Sequence, residues 1–211
     1  MTTDQFTAPT SRRTHRPLIS IVLPVYNERS VLETLHVSIL RAVEGYNMDY
    51  EMIFVDDGSS DGSSEVLDRM AGKDPHVRVV HFARNFGHQA AVQAGLEHAR
   101  GDAVVLMDSD MQDAPEAIPR FVDQWREGYD VVYAIRADRK ESRLKRMAFA
   151  AFYRTLSRIA STPIPQDAGN FGLVDRRVAR QIAELQERDR YFPGLRSWVG
   201  YRQIGIVVER A

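Results

Sequence analysis

Two aspartates one residue apart, Asp108 and Asp110, carry the clearest chemical signal in this sequence. They follow the apolar run 103–107, which is typical of a buried β-strand. Side chains two residues apart in an extended segment project to the same side, so these carboxylates are expected to converge. Converging carboxylates repel each other unless a cation lies between them, and Mg²⁺ or Mn²⁺ is commonly held by one or two carboxylates plus substrate phosphates. The motif predicts a divalent metal site, and a solvated acidic turn is the alternative.

A second acidic pair, Asp56 and Asp57, follows the apolar run 51–55 and precedes a loop of glycines and serines. An aspartate at this place can accept a hydrogen bond from a nucleobase N–H or a ribose hydroxyl, and it can equally close an Asx turn or cap a helix. Phospho-receiver domains also have paired aspartates at a strand end, but on their first strand. Haloacid-dehalogenase-type phosphatases have Asp-x-Asp on the first strand with a threonine soon after, and neither condition holds here.

A glycine and a histidine, Gly87 and His88, follow the third apolar run at residues 77–82. Gly87 would let the backbone approach a ligand, or would turn the chain into the next helix. His88 could act as a general base, and the alternative is a helix N-terminal residue that shapes the pocket. The residue types alone leave both alternatives open.

The elements that must position these residues are predicted from the hydrophobic pattern. Short apolar runs alternate with longer amphipathic segments, which predicts a doubly wound α/β fold with a mostly parallel sheet. In such sheets the ligand lies beyond the carboxyl ends of the strands, where both acidic pairs fall. Gly101 is predicted as a helix C′ residue and Pro115 as a helix N1 residue. Strands are predicted at residues 19–25, 51–55, 77–82, 103–107, 130–134 and 204–208, and helices at 30–44, 63–71, 88–100, 115–127 and 176–187.

The composition narrows the class of protein. With 211 residues, 44% of them hydrophobic, the chain is long enough for one domain with a sizeable core. The net charge of -1 gives no indication of nucleic-acid binding, and 0 Cys residues exclude a disulfide framework, a cysteine-ligated zinc and a thiol nucleophile. Residues 1–17 are polar, which predicts a disordered arm and no secretory signal. No stretch reaches the ~18 apolar residues of a transmembrane helix, so the protein is expected in the cytoplasm, in water or on a membrane surface.

The segment 142–159 has a basic amphipathic pattern unlike the rest of the chain. Between residues 136 and 158 eight Lys or Arg stand against two acidic residues, and apolar side chains recur at nearly helical spacing. This pattern is typical of a helix that lies on an anionic membrane surface. The alternative is a helix packed on the core with a solvated basic face.

Taken in order along the chain, the motifs resemble those of the family 2 glycosyltransferases, and within them the polyprenyl-phosphate hexose synthases. The resemblance runs from residue 19 to about residue 203, and the common order of the motifs makes it specific. The sequence departs from the family at Asn170 and Gly172, where Asp and Arg are common. The matching stretches are 21–28 (IVLPVYNE), 55–62 (VDDGSSDG), 84–87 (RNFG), 108–113 (DSDMQD), 141–146 (ESRLKR) and 167–171 (DAGNF).

This resemblance implies the fold and the donor site of a GT-A-type nucleotide-diphospho-sugar transferase. The donor would be a UDP- or GDP-sugar, and Mg²⁺ or Mn²⁺ would bind its diphosphate. The implied metal ligands are Asp108, Asp110 and Gln112. The implied nucleotide-sugar site comprises Pro24, Tyr26, Glu28, Asp56, Asp57, Gly87, Asp108, Ser109 and Asp110.

The same resemblance implies that residues 137–200 bind the acceptor and the membrane, with 142–159 as an amphipathic helix at the membrane interface. The implied residues are Arg136, Arg143 and Lys145 for an acceptor phosphate, Asp167 as a catalytic-site carboxylate, and Arg196 and Trp198 at the carboxyl-terminal side of the site.

The implied reaction is inverting transfer of a hexosyl group to a polyprenyl phosphate by one catalytic domain, residues 18–211, peripheral on the cytoplasmic face of the membrane. An acceptor phosphate is largely anionic at pH 7, so positioning by Arg and Lys matters more than a base. A hydroxyl acceptor would instead need a base, and Asp167 could supply it. A nucleotidyltransferase would carry a Gly-rich basic loop at residues 24–28, and a non-catalytic nucleotide-sugar-binding domain would lack a metal aspartate. The sequence is compatible with a homo-oligomer and does not determine the oligomeric state.

Overall fold

The computed structural model describes residues 15–136, 168–185, 187 and 191–209 of the chain. These residues form one seven-stranded sheet with the strand order β3-β2-β1-β4-β6-β5-β7. The strands are β1 (Leu18–Val25), β2 (Asp49–Asp56), β3 (Val77–His81), β4 (Ala103–Leu106), β5 (Val131–Arg136), β6 (Ala168–Asp175) and β7 (Gln203–Val208).

Six strands run in one direction, and β6 runs against them between β4 and β5. The predicted doubly wound, mostly parallel sheet is therefore confirmed. The antiparallel strand β6 is new, because the pattern around Gly169 and Gly172 does not predict a strand. Gly172 packs closely against the backbone of β5. A Cβ added at Gly172 would lie 2.4 Å from the Val132 carbonyl oxygen, which is too close. This close packing explains why glycine, a poor strand former, occupies the middle of the sheet.

Helices cover both faces of the sheet, and the side chains of each strand alternate between two apolar layers. Ile21 of β1 packs with α1, α2 and α4 in one layer, and its neighbour Val22 packs with α3 and α5 in the other. Pro115 begins a short 3₁₀ turn (Pro115–Ala117) that leads into α4, as predicted. The helices are α1 (Leu32–Val43), α2 (Ser63–Lys73), α3 (His88–His98), α4 (Ile118–Arg126), α5 (Arg176–Glu184) and α6 (Phe192–Trp198).

A buried polar network at the amino ends of the strands corrects the prediction for Gly101. Helix α3 ends at His98 and its C-cap is Ala99, so the C′ position is residue 100 and not Gly101. Gly101 also lacks the positive φ that is typical of a C′ glycine. Its N–H donates to the Ser20 hydroxyl (2.8 Å), which in turn donates to the Glu51 carboxylate (2.6 Å). An added Cβ at Gly101 would come within 2.6 Å of the Ser20 nitrogen. Glycine is required here by the close approach of two backbones.

Among the described residues, no helix is long and apolar enough to cross a membrane. The basic segment 142–159 lies outside the described residues, so its predicted helix stays a prediction.

Candidate active site

A cavity of about 290 Å³ opens at the carboxyl edge of the sheet. The loops that follow β1, β2, β3 and β4 meet there, because parallel strands bring their carboxyl ends to one edge. Seven of the residues predicted for the nucleotide-sugar site are on its wall. The lining consists of Pro24, Val25, Tyr26, Glu28, Asp57, Asn85, His88, Ala91, Asp108, Ser109 and Asp110.

The cavity is strongly acidic. Four carboxylates line it, those of Glu28, Asp57, Asp108 and Asp110. Partial burial raises the pKa of Glu28, and the negative charges of Asp110 and Asp61 raise it further. The negative charge at this place is therefore held against electrostatic repulsion, and a bound cation would relieve it.

The loop after β4 is folded so that both metal-site aspartates of the sequence motif face the cavity. The Asp113 carboxylate accepts the Asp108 N–H (3.2 Å), and the Asp110 carboxylate accepts the Gln112 N–H (3.0 Å). The Ser109 hydroxyl donates to the Pro24 carbonyl oxygen (2.7 Å), which ties this loop to β1. Met111 completes the turn with a φ of 62°. Ser109 thus has a bracing role that its position in the motif did not reveal.

Gln112 is separated from the cavity that its neighbours line. It lines a second, smaller cavity together with Ala134 and Phe171. Because a loop turns between Asp110 and Gln112, the alternation of an extended strand does not continue, and the third predicted metal ligand lines a different cavity from the other two. In the described part of the chain no group of three or more His, Cys, Asp or Glu side chains is arranged to hold a metal.

Asp57 combines a place on the cavity wall with a structural task. One of its oxygens accepts the Phe86 N–H (2.7 Å) and the other accepts the Gly87 N–H (2.9 Å). Gly87 has a φ of 99°, which few other residues adopt, and this conformation starts α3 at His88. Gly87 itself is not part of the cavity wall. The carboxylate therefore fixes the loop that presents His88 to the cavity.

Asp56 does not line the cavity, in contrast to the prediction that it helps to bind the nucleoside. Successive residues of a strand point to opposite sides, and Asp56 turns into the protein with 1% of its surface exposed. Its carboxylate accepts the Ser59 N–H (3.0 Å), the Ser64 hydroxyl and a hydrogen bond from His81 (3.0 Å). The Asx-turn alternative is therefore the one that the geometry of Asp56 supports.

We expect His81 to make the stability of the protein depend on pH. Its two ring nitrogens lie 3.0 Å from carboxylates of Asp56 and Asp68. Burial lowers the pKa of His81, but these hydrogen bonds outweigh burial and raise it above 6.5. Burial likewise raises the pKa of Asp56, and hydrogen bonds from Ser59, Ser64 and His81 hold it below 3.8.

The stabilisation of the folded state by His81 and Asp56 is complete between pH 3.8 and pH 6.5, the ordinary pKa values of the aspartate and the histidine. It is lost as pH rises through the folded pKa of His81, and also as pH falls through the folded pKa of Asp56. Thermal unfolding from pH 5 to pH 9 measures it. The wild type should lose stability above pH 6.5 more steeply than His81→Gln, and identical slopes would contradict the assignment.

Arg196, predicted at the carboxyl-terminal side of the site, is a buried guanidinium that does not line the cavity. It is 1% exposed, its Nη1 donates to the Gly169 carbonyl oxygen (3.3 Å), and its charge lies 4.8 Å from the Tyr133 ring centre. Its Nε and Nη2 have no hydrogen-bond partner in the described part of the chain. Burial lowers the pKa of Arg196 to about 10. Trp198, at the end of the same helix, is by contrast 56% exposed.

The remaining predicted residues fall in two groups. Arg136 is the last residue of β5, at the carboxyl edge of the sheet. Arg143, Lys145 and Asp167 lie outside the described residues, so their roles stay predictions. Asn170, noted in the sequence only as a departure, contacts the cavity residue His88, with 2.9 Å between its Nδ2 and the histidine Nε2.

Comparison with known proteins decides the family. The model of Glycosyl transferase family 2 matches residues 20–183, which include every element from β1 to most of α5. The chain belongs to this family. This chain is 43% identical over 188 residues to an uncharacterized glycosyltransferase, YkcC, of Bacillus subtilis (strain 168). The match covers 89% of this chain and 58% of the relative. The chain is 38% identical over 183 residues (86% and 60%) to the bactoprenol glucosyl transferase of Shigella phage SfX.

Solved structures give the same fold. The mannosyltransferase PcManGT from Pyrobaculum calidifontis, in complex with GDP-Man and Mn²⁺, superimposes with a TM-score of 0.64 at 21% identity, covering 96% of this chain and 58% of that one. Glucosyl-3-phosphoglycerate synthase from Mycobacterium tuberculosis, in complex with UDP, gives 0.54 at 26% identity, with coverages of 77% and 58%. The chain spans about three fifths of the length of the curated relatives (58%, 61% and 60% for three of them).

Proposed function

We propose that this family 2 glycosyltransferase transfers a hexosyl group from a UDP- or GDP-sugar to a polyprenyl phosphate, with inversion at the anomeric carbon. The observation that carries the donor half is the acidic cavity, where Asp108 and Asp110 face the same space as Tyr26 and Asp57. The acceptor half is supported by the similarity to bactoprenol glucosyl transferases, which extends over 86% of the chain.

A divalent cation such as Mg²⁺ or Mn²⁺ fits the charges of the cavity, and Asp108 and Asp110 would hold it. Burial raises the pKa of Glu28 and the negative charge of Asp110 raises it further, and a hard cation prefers carboxylate and phosphate oxygens. The bound ion supplies charge neutralisation for the departing nucleoside diphosphate. Because the predicted metal site has two carboxylates, Asp108 and Asp110, the donor diphosphate would supply further ligand oxygens, so metal and donor should bind together.

In the proposed reaction an acceptor phosphate oxygen forms a bond to the anomeric carbon while the bond to the donor diphosphate oxygen breaks. The diphosphate leaves with the electron pair, and no proton must be removed from an ionised acceptor. The side chains therefore have to position two anions. Arg196 is a candidate for one of them, because its Nε and Nη2 have no hydrogen-bond partner in the described part of the chain and guanidinium binds phosphate bidentately. Both nitrogens are buried, so a phosphate reaches them only if the side chains that cover them move.

A transfer assay tests the proposal. Labelled UDP- and GDP-hexoses are offered, with Mn²⁺, together with a short-chain polyprenyl phosphate, the corresponding unphosphorylated polyprenol, or a free hexose. Label is expected in the organic phase only with the phosphate. Transfer to the free hexose and not to the lipid phosphate would contradict the acceptor and would favour Asp167 as a base for a hydroxyl acceptor.

We also expect the protein to bind anionic membranes through the segment 142–159. Each Lys or Arg near an anionic surface contributes about 1 kcal/mol, and several are clustered there in an almost neutral chain. The protein should co-sediment with anionic vesicles, and not with neutral ones, at low salt. Attachment lost by roughly 0.5 M salt would indicate charge alone, and attachment that persists would indicate inserted apolar side chains. No sedimentation at low salt would contradict the interface helix.

A further inference from the structure

His88 and Asn170 form a polar pair that neither the nucleoside nor the metal accounts for. The Asn170 Nδ2 lies 2.9 Å from the His88 Nε2, and the same histidine nitrogen lies 3.6 Å from a carboxylate oxygen of Asp108. His88 is on the cavity wall with 42% of its side chain exposed, and Asn170 is half-buried. The pair is thus accessible to a ligand that reaches past Asp108.

Two separate devices fix the positions of the pair. His88 is the first residue of α3, and the carboxylate of Asp57 holds the two N–H groups that precede it. Asn170 belongs to β6 and lies between Gly172 and Ala168, where the pairing of β6 with β5 is irregular. The carbonyl oxygen of its neighbour Gly169 accepts from the buried Arg196. Side chains held this way are preorganised for binding, because little further ordering is needed.

The strand order indicates which part of a donor would meet the pair. Side by side in the sheet stand β2, β1, β4 and β6. Tyr26 and Asp57, expected at the nucleoside, follow β1 and β2, and Asp108, expected at the diphosphate, follows β4. A nucleotide sugar that extends along this edge has its sugar over β6. Asn170 is on β6, and His88 contacts both Asn170 and Asp108.

We propose that His88 and Asn170 form the subsite that binds hydroxyl groups of the transferred hexose. This inference rests on the proposed function. An amide and an imidazole joined by one hydrogen bond still offer donors and acceptors to a ligand, which suits hydroxyl groups that both donate and accept. His88 is on the cavity wall and Asn170 contacts it, so the pair places uncharged polar groups beside the carboxylate of Asp108. The pair determines sugar affinity and orientation, and the nucleoside diphosphate binds without it.

The test compares ligands with and without the sugar. Calorimetry with Mn²⁺ measures the affinity of UDP and GDP and of the matching nucleotide hexoses for wild type, His88→Ala, Asn170→Ala and the double variant. Both single variants should bind the nucleoside diphosphate as the wild type does. Both should bind the nucleotide hexose at least about tenfold more weakly, which is the loss of one to two hydrogen bonds. The double variant should lose little more than either single one, because the two side chains act as a unit.

Gln89→Ala is the matched control. Gln89 is the next residue of α3, and its side chain accepts the Phe192 N–H (3.3 Å) away from the cavity wall. It should leave both affinities unchanged. Equal weakening of diphosphate and hexose ligands by the Asn170 and His88 variants would overturn the proposal, and so would unchanged hexose affinity. If the wild type binds neither UDP nor GDP, the proposed function fails, and the subsite fails with it.

Discussion

Asp110→Asn is expected to abolish metal-dependent donor binding while the fold survives. Asparagine keeps the oxygen that accepts the Gln112 N–H, so the turn after β4 should persist. The change removes one of two carboxylates that face the proposed cation. Since even residues that only hydrogen-bond to metal ligands alter metal affinity by about 10–100-fold, losing a direct ligand should reduce transfer by roughly 100-fold or more. The pKa of Glu28 should fall at the same time, because Asp110 is one of the charges that raise it.

The measurement is calorimetric titration of the nucleotide sugar with Mn²⁺ and with EDTA, alongside turnover and thermal unfolding. In EDTA the wild type should bind the donor as poorly as the variant does. Asp49→Asn is the control, because it removes the same charge from an exposed position at the opposite edge of the sheet. Donor binding by Asp110→Asn that is as tight as in the wild type, with Mn²⁺ present, would show that the metal is held elsewhere or not at all.

Replacing Arg196 by methionine should raise stability and lower activity. The guanidinium is buried, makes one hydrogen bond to the described residues, and has its pKa lowered by burial to about 10. Replacing a poorly paired buried charge by an apolar side chain of similar size is often neutral or stabilising, here by about 1 kcal/mol, which corresponds to roughly 2–4 °C for a chain of this length. If the Nε and Nη2 of Arg196 bind a substrate phosphate, transfer by Arg196→Met should fall by about 100-fold, because each charged hydrogen bond contributes about 1.5–3 kcal/mol.

Arg177→Met provides the comparison. Arg177 donates to Asp175 (3.0 Å) and Asp130 (2.8 Å), and both carboxylates are 5% exposed. Removing Arg177 takes away the positive charge that pairs with the buried carboxylates of Asp130 and Asp175. The variant should therefore lose more than about 1 kcal/mol of stability, even though the arginine side chain itself is half-exposed. In urea unfolding, the free energy of unfolding is expected to rise in Arg196→Met and to fall in Arg177→Met. A loss of stability in Arg196→Met as large as in Arg177→Met would show a structural role for Arg196.

Local patterns predicted most of the first half of the protein. Strand β1 is buried from its second residue to its end, and such apolar runs are readable without any tertiary information. The convergence of Asp108 with Tyr26 and Asp57 followed from one rule about parallel sheets. Helix ends were predicted less well, as at α3, because the backbone approach of Gly101 to Ser20 depends on a strand 80 residues away in the chain.

The details that sequence reasoning missed depend on contacts between distant segments. Asp56 and Asp57 look alike in the sequence, and only the structure shows that Asp57, just after β2, lines the cavity while Asp56, the last residue of β2, does not. The pair of His88 and Asn170 spans 82 residues and needs β6 to lie beside β4. The departure at Asn170 was visible, but its meaning required the partner that faces it.

The place of β6 in the sheet has a consequence for how the protein is made. Ala103 of β4 pairs with Asp175, so β4 has no neighbour on that side until the ribosome has added about 70 further residues. Strands β3, β2, β1 and β4 can assemble earlier, with the apolar edge of β4 open to water and to other nascent chains. The aspartates of the metal motif stand at the end of that last strand. We expect β6 to close this edge late, so the donor cavity matures only when the second half of the chain has been synthesised.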